Sequence, residues 1–442
     1  MLSFRGLFWL LSGLVALVNS KSSAGDSVLV VVEPNHRDNY SIFFDGLKEQ
    51  GYELTFRQPK EDGPLIIQDD VPNFSHVILF ASETKNLGKD ITPQSLVHLL
   101  SLNTNILVAL STKQTQLSSL ATEFSLILPP PGTPLVSYFP ERQDSASLIP
   151  VAITANPVVS KDLPPVWFSG VPQALGSNPH LVPILRAPPQ SFASEIDGGS
   201  ADALVEAAEK GGEGLWAGSQ LSLVTGFQTL TGSRITWVGG VSLFNDELAQ
   251  KEVAKGVKSG NAQFAREVAA WTFQESQVLR IDRVEHHLVN VTEPKEQYTN
   301  NDNIVYTAYI SKYDVKTSSW KPYSGLTELQ LEFTMLDPFI RTALPPVAGS
   351  PGKYSVTFRA PDRHGVFKFV IDYKRKGWTH LHSSTTVAVV PPRHDGYPRF
   401  LSAAWPYYAG AISTSIGFFL FSALWLGGEV REIKKGKGSK AE

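Results

Sequence analysis

Apolar and polar positions follow three successive patterns along the chain. In the first, unbroken apolar runs alternate with segments of helical spacing. Ser27 to Val32, His76 to Phe80 and Ile106 to Leu110 are continuous runs of the kind a strand covered on both faces requires. Tyr52 to Phe56 reads as a further strand. Tyr40 to Gln50 sets Phe43, Phe44 and Leu47 on one helical face and closes at Gly51; further helices are predicted from about Pro93 to Leu102 and from Gln114 to Phe124. The alternation predicts an α/β fold with a doubly wound, mostly parallel sheet. Strands at Leu221 to Val224 and Arg234 to Val238 are joined by a turn through Thr231 to Ser233. Asn245 to Gly260 and Asn261 to Phe273 are polar and helix-compatible. On the second, Phe264, Val268, Trp271 and Thr272 form a stripe expected to pack back on the sheet.

The second pattern starts at Val278 and has period two. Leu329, Leu331, Phe333 and Met335 alternate with Glu328, Gln330, Glu332 and Thr334. Tyr354, Val356 and Phe358 repeat the alternation, as do Phe367, Phe369, Ile371 and Tyr373. With Val305 to Ile310 and Thr385 to Val390, about seven short strands predict a β-sandwich. His286 and His287 fall on its first strand, where neighbouring side chains face opposite ways, so the pair cannot chelate one metal. Within the first region, Pro129 to Pro189 holds fourteen of the thirty prolines, which excludes continuous helix and predicts extended segments and turns with Trp167 and Phe168 packed inside.

The third pattern is a run without charge, Phe400 to Gly428, between Arg399 and Glu429. Its apolar part, Ala403 to Leu426, spans roughly 36 Å as a helix, enough to cross a bilayer. Trp405, Tyr407 and Tyr408 at one end and Trp425 at the other match an aromatic belt, and Arg431, Lys434, Lys435, Lys437 and Lys440 beyond it mark a cytosolic side. Ala409, Ser413 and Gly417 recur every four residues, with Gly410 and Thr414 beside them, as a packing face for another membrane helix. Near the start, Arg5 precedes an apolar run from Leu7 to Val18, too short to span but suited to a signal peptide cleaved before Lys21. The expected organisation is a signal peptide (1–20), a lumenal α/β domain with its Pro-rich extension (21–275 with 129–189), a membrane-proximal β-sandwich (276–398), a transmembrane helix (403–426) and a basic tail (427–442).

Composition narrows the chemistry. There is no cysteine, which removes thiol nucleophiles, zinc–thiolate sites and disulfides, so packing alone must hold the lumenal part. The net charge is −3 and no basic stripe is present, so nucleic acid is not an expected partner. Three sequons, at Asn39, Asn73 and Asn290, are candidate N-glycosylation sites, with Asn39 expected at the opening of a helix. Ligands of doubly wound sheets bind beyond the carboxyl ends of the strands. Here those loops are Glu33 to Asp38, Ser82 to Lys85 and Ser111 to Lys113. None carries a glycine-rich phosphate loop or a nucleophile elbow. Glu33, His36 and Asp38 are the one cluster with catalytic residue types, and helix capping is the expected role of such a loop.

Several long stretches resemble one family: Gln330-Leu-Glu-Phe-Thr-Met-Leu-Asp-Pro-Phe-Ile-Arg-Thr342, Gly352-Lys-Tyr-Ser-Val356 with Gly365-Val-Phe-Lys-Phe369, and Trp378-Thr-His-Leu-His-Ser-Ser-Thr385. Val30 to Phe56, Trp271 to Arg280, His286 with His287, Tyr397 to Phe400 and Trp405 to Tyr408 match as well. The chain is similar to the non-catalytic 48-kilodalton-type subunits of oligosaccharyltransferase. That complex moves a glycan from dolichyl diphosphate to asparagine in the endoplasmic reticulum. The resemblance implies a glutamine-amidotransferase-like first domain, without that activity here because the cysteine nucleophile is missing. It implies a scaffold with no catalytic residue, cofactor or metal of its own. The implied partners are the catalytic subunit, ribophorin-like subunits and small membrane subunits, with nascent polypeptide and dolichyl-diphosphate glycan met indirectly. Family members often end in a dilysine retrieval signal. Lys440 is third from the end, but Gly438 and Ser439 fill the places before it, so retention through the complex is expected. The competing readings are a stand-alone membrane-anchored glycan-processing enzyme and a surface sugar-binding receptor.

Overall fold

A computed structural model of the chain describes residues 21–139, 143–194, 216–396 and 402–428. The segment expected to be a signal peptide and most of the basic tail lie outside the described residues.

The first region is built on a seven-stranded sheet. Its strands are β1 (Ser27–Val31), β2 (Glu53–Arg57), β3 (His76–Leu79), β4 (Asn105–Ala109), β5 (Leu181–Arg186), β6 (Ser222–Gln228) and β7 (Arg234–Val238), in the spatial order β5-β6-β7-β4-β3-β1-β2. The ladders β2/β1, β1/β3, β3/β4 and β4/β7 are parallel, and β6 runs against both of its neighbours. The apolar runs are unbroken because both faces are covered. Val28 and Val30 of β1 point into a core with Phe43, Phe44, Phe264 and Val268. Leu29 and Val31 point the other way, into a core with Leu96, Leu99, Leu117 and Leu120. The covering helices are α1 (Ser41–Glu49), α2 (Pro93–Ser101), α3 (Gln116–Glu123) and, after a single-turn α4 (Asp246–Gln250), α5 (Asn261–Thr272).

Three expectations need correction here. Asn245 to Gly260 is not a helix: after α4 the chain forms a small hairpin of β8 (Glu252–Ala254) and β9 (Val257–Lys258), turning at Gly256 with φ +79°. A polar stretch of that composition supports either form, and the left-handed glycine decides it. Residues 34–40 form a 3-10 turn before α1 rather than loop. The Pro-rich stretch does more than extend: it supplies β5 at the edge of the main sheet, where Pro183, lacking an N–H, is tolerated beside a bulge. Elsewhere its described residues contribute short two-stranded ladders between turns, with Trp167 and Phe168 buried.

The second region is a sandwich of nine strands rather than seven. One sheet joins β10 (Leu279–Leu288), β12 (Asn303–Asp314), β13 (Ser319–Pro322) and β16 (Lys353–Arg359), with β12 central. The other, in the order β11-β18-β17-β14-β15, joins β11 (Gln297–Thr299), β14 (Gln330–Thr334), β15 (Pro338–Ala343), β17 (Gly365–Tyr373) and β18 (Leu381–Val390). The alternating apolar positions Leu331, Phe333, Phe367, Phe369 and Ile371 meet Tyr306, Ala308, Ile310 and Tyr354 of the opposite sheet in one core. His286 stacks on Phe369 and hydrogen-bonds the Tyr298 hydroxyl, whereas His287 contacts the Leu288 carbonyl, so the two rings serve packing on different faces.

A buried polar cluster ties the start of β3 to β4. His76 is fully buried. Its Nε2 is 2.8 Å from the Gly25 carbonyl and its Nδ1 is 3.2 Å from Asn105 Nδ2, so the neutral ring, donating at Nε2 and accepting at Nδ1, satisfies both. Burial pushes its pKa down to about 4. Protons therefore bind the unfolded chain first as pH falls below the ordinary histidine value of about 6.5. The expected result is a loss of up to about 3 kcal/mol of stability between about pH 6.5 and pH 4. Nearby Glu275, which accepts from the Tyr52 hydroxyl at 2.5 Å, is shifted up by burial and acts in the opposite sense. Denaturation midpoints across pH for the native chain and for His76→Gln isolate the histidine. The loss should shrink in the variant; identical pH profiles would contradict the assignment.

Candidate functional site

The strand-end rim is the first place to look for chemistry. Glu33, after β1, accepts a 2.9 Å hydrogen bond from Thr84 Oγ1 after β3. Lys113, after β4, pairs with Glu83 at 2.6 Å. His36 Nδ1 stands 3.7 Å from Glu33, and the Arg37 guanidinium lies over the Phe56 ring at 3.7 Å. Asp38 is exposed on the 3-10 turn. Tyr40 is buried beneath the rim, and burial with the Glu33 and Glu83 charges pushes its hydroxyl up to about 12. The rim thus ties its three loops to one another by polar pairs. Glu33 and His36 take places in those loop contacts and Asp38 stands exposed apart from them, which is not a nucleophile–base arrangement.

A second polar centre was not foreseen as a site. Arg234, at the start of β7, is fully buried. Its Nη1 donates to the Trp271 and Ser276 carbonyls at 2.6 and 2.8 Å. Its Nη2 donates to the Gln277 carbonyl and Thr379 Oγ1 at 3.1 and 3.3 Å, and its Nε to Gln228 Oε1 at 3.2 Å. The guanidinium also lies 4.7 Å from the Trp271 ring centre. Burial lowers its pKa to about 9, which leaves it charged at neutral pH. Trp271 Nε1 donates to the Gly377 carbonyl at 2.8 Å, Gln277 Nε2 to the Pro157 carbonyl, and Thr379 N to the Gln277 carbonyl. Gly377 adopts φ +83°, and a Cβ there would stand 2.7 Å from Pro157 Cγ, so only glycine suits this turn. Arg234, Trp271 and Gln277 on one side and the turn between β17 and β18 on the other form a junction that fastens the α/β region to one end of the sandwich.

The apolar helix α6 (Trp405–Gly427) carries no charge over 23 residues. It is long and apolar enough to cross a membrane, and none of it is buried in the chain. Ala409, Gly410, Ser413, Thr414 and Gly417 lie along one side, and a Cβ at Gly410 or Gly417 would meet nothing within 4 Å. The Ser413 and Thr414 hydroxyls both donate to the Gly410 carbonyl at 2.9 Å, so the face is small and internally satisfied. Of the sequons, Asn290 sits exposed in the turn after β10. Asn73 is exposed, with its amide donating to the Leu65 carbonyl. Asn39 lies on the 3-10 turn, and its Ser41 is held by Asp246: both the Ser41 amide and hydroxyl donate to that carboxylate, at 2.8 and 2.6 Å.

Residues 19–275 match the family model described as OST48, N-terminal domain, and residues 286–429 match the model of the OST48 middle domain. The chain belongs to the OST48 family. A Caenorhabditis elegans relative is 31% identical over 433 residues, covering 93% of this chain and 94% of its own; it is named dolichyl-diphosphooligosaccharide–protein glycosyltransferase 48 kDa subunit. A Danio rerio relative of the same name is 31% identical over 428 residues, covering 93% of each chain. Among solved structures, a ThuA-like protein from Parabacteroides merdae covers 56% of this chain and 89% of its own at 11% identity and a TM-score of 0.28, too low to carry an argument.

Membership of the OST48 family gives the junction added meaning. Two of the stretches that carry the resemblance, Trp271 to Arg280 and Trp378 to Thr385, meet there, through Gln277 and Thr379. The resemblance was the one signal in the sequence that pointed at these residues. Nothing in the local pattern around Arg234 or Gly377 foretells that they share a site. The same holds for Asp246, which caps α1 across more than two hundred residues.

Proposed function

We propose that this chain is the 48 kDa subunit of the dolichyl-diphosphooligosaccharide–protein glycosyltransferase complex, acting in N-linked glycosylation as a scaffold rather than as the catalyst. The observation that carries this reading is the end-to-end match: two family models in order, and relatives so named aligned over nine-tenths of both chains. The polar rim, where Glu33 and Glu83 are engaged by Thr84, His36 and Lys113, and the hydrogen-bonded junction suit a positioning role. The seven-stranded region is read as glutamine-amidotransferase-like in architecture. It lacks that family's chemistry because the chain has no cysteine.

In this reading residues 1–20 are a signal peptide, 21–275 and 276–398 are lumenal domains, 403–426 cross the endoplasmic reticulum membrane and 427–442 face the cytosol. The partners are the catalytic, ribophorin-like and small membrane subunits, with the small-residue side of α6 as the contact inside the bilayer. Removing the chain from cells is expected to lower glycan occupancy at Asn-X-Ser/Thr sites of a secreted reporter, with restoration by the native chain. Undiminished occupancy after complete removal would sink the proposal.

Asn290 and Asn73 are the proposed glycan acceptors, because both stand exposed, whereas the Ser41 hydroxyl of the Asn39 sequon is held by Asp246. Asn290→Gln should remove one glycan's worth of mass on a gel, and Asn39→Gln none. A shift from Asn39→Gln alone would reverse this ranking.

A further inference from the structure

We propose that the turn between β14 and β15 docks into the headgroup layer of the membrane that α6 crosses, making the sandwich a pillar that stands on the bilayer. The proposal rests on the reading of α6 as a membrane anchor and adds a second, independent contact. The register of the strands carries the argument. In β17, Tyr373 pairs with Leu381 of β18, and Gly365 pairs with Val389. The Tyr373 end holds the turn with Gly377 and Thr379, where the α/β region is fastened. The Gly365 end is therefore the far end, separated from the junction by the nine residues of β17, roughly 30 Å at about 3.4 Å each. β18 finishes at that far end with Val390, and residues 391–401 then lead to α6, a reach of at most roughly 40 Å.

The β14–β15 turn is at the same far end, because Thr334 pairs with Lys368 near the start of β17. Leu336 at its tip is 94% exposed, Val366 is 59% exposed and Phe339 41%. A single exposed leucine means little, but here three large apolar side chains gather at the end from which the chain leaves for the membrane. The tip is also braced. Phe339 packs edge-on against buried Phe367 at 5.4 Å, and Met335 packs on the sandwich core. Around it, Arg359, Arg363 and Arg393 are exposed at the same end and suit lipid phosphates, while exposed Asp337 beside Leu336 keeps the contact at headgroup depth. Asn290 belongs to this end too, on the side of the other sheet.

The chain has no cysteine, so single labels are clean. Leu336→Cys, Lys376→Cys in the turn at the junction end, and Ile412→Cys in α6 would each be labelled with an environment-sensitive fluorophore. The full chain would then be reconstituted in phosphatidylcholine vesicles. The expected result is a blue-shifted Leu336 label, quenched by lipids carrying a nitroxide near the headgroup and shielded from aqueous iodide, with the Lys376 label behaving oppositely. If the Ile412 label is quenched from the acyl chains while the Leu336 label stays as open to iodide as that at Lys376, the anchor stands and the docking proposal falls. Protection of Leu336 only in the assembled complex would likewise overturn it, and assign the tip to a protein partner. An Ile412 label untouched by lipid nitroxide would remove the anchor and the proposal together.

Discussion

Arg234→Met is expected to destabilise the chain by about 3–5 kcal/mol and to loosen the α/β region from the sandwich. Methionine keeps most of the volume and the contact with Trp271, so the loss is not chiefly a cavity. It falls on the acceptors. The Ser276 carbonyl and Gln228 Oε1 lose their donor, whereas the Trp271 and Gln277 carbonyls keep the Gln274 and Thr379 N–H groups, and a buried acceptor left unpaired costs about 1–3 kcal/mol. A buried charge paired with a carboxylate can often be replaced by a hydrophobe at little cost. This one is bound to carbonyls that stay in place when it leaves. Arg234→Lys keeps the charge but cannot reach several carbonyls at once, so it should fall between the two. Denaturation of the detergent-solubilised chain, followed by tryptophan fluorescence, measures the loss. Proteolysis within residues 273–279 reports the loosening. A variant within about 1 kcal/mol of the native chain would show that the junction is held elsewhere.

Ser413→Leu combined with Gly417→Leu should leave the α/β and sandwich regions folded and reduce recovery of the chain with other membrane subunits by on the order of tenfold. Small side chains let two helix backbones approach closely in a bilayer, where dispersion contacts rather than water exclusion hold helices together. Two leucines one turn apart fill that side. Because no residue of α6 is buried within the chain, the substitutions have no route to the α/β and sandwich folds. Ser415→Leu is the matched control, since it lies nearly opposite on the helix and its hydroxyl donates to the Ala411 carbonyl. Equal losses from the control and the double variant would point to altered membrane insertion instead of lost packing.

The parts of the fold visible in the sequence are those fixed by period and burial. Past their first residues, β1, β3 and β4 are apolar because helices cover both faces. β14, β16 and β17 alternate because one face of each sheet is wet. The parts that stayed hidden depend on partners distant in sequence. β11 is three residues long and carries no period of its own, and β15 follows a turn at Met335 to Asp337 that breaks the alternation. The stretch after α4 became a hairpin on the strength of one left-handed glycine. Arg234 and His76 are polar residues at the mouths of strands, where a sequence reads an element boundary. Both are fully buried, because most of their acceptors are distant in sequence: Gly25 for His76, and Trp271, Ser276 and Gln277 for Arg234. Of the candidate sites, the small-residue side of α6 is proposed from spacing alone. The junction emerged only through the family stretches that meet in it, and the apolar tip at Leu336 only through strand register.

The most direct test of the central claim is affinity purification of the tagged full chain from membranes in mild detergent, with the co-purifying chains identified and counted by mass spectrometry. The account predicts recovery of the glycosyltransferase catalytic subunit in near-stoichiometric amount, together with membrane subunits. A folded, membrane-extracted chain recovered alone would contradict it.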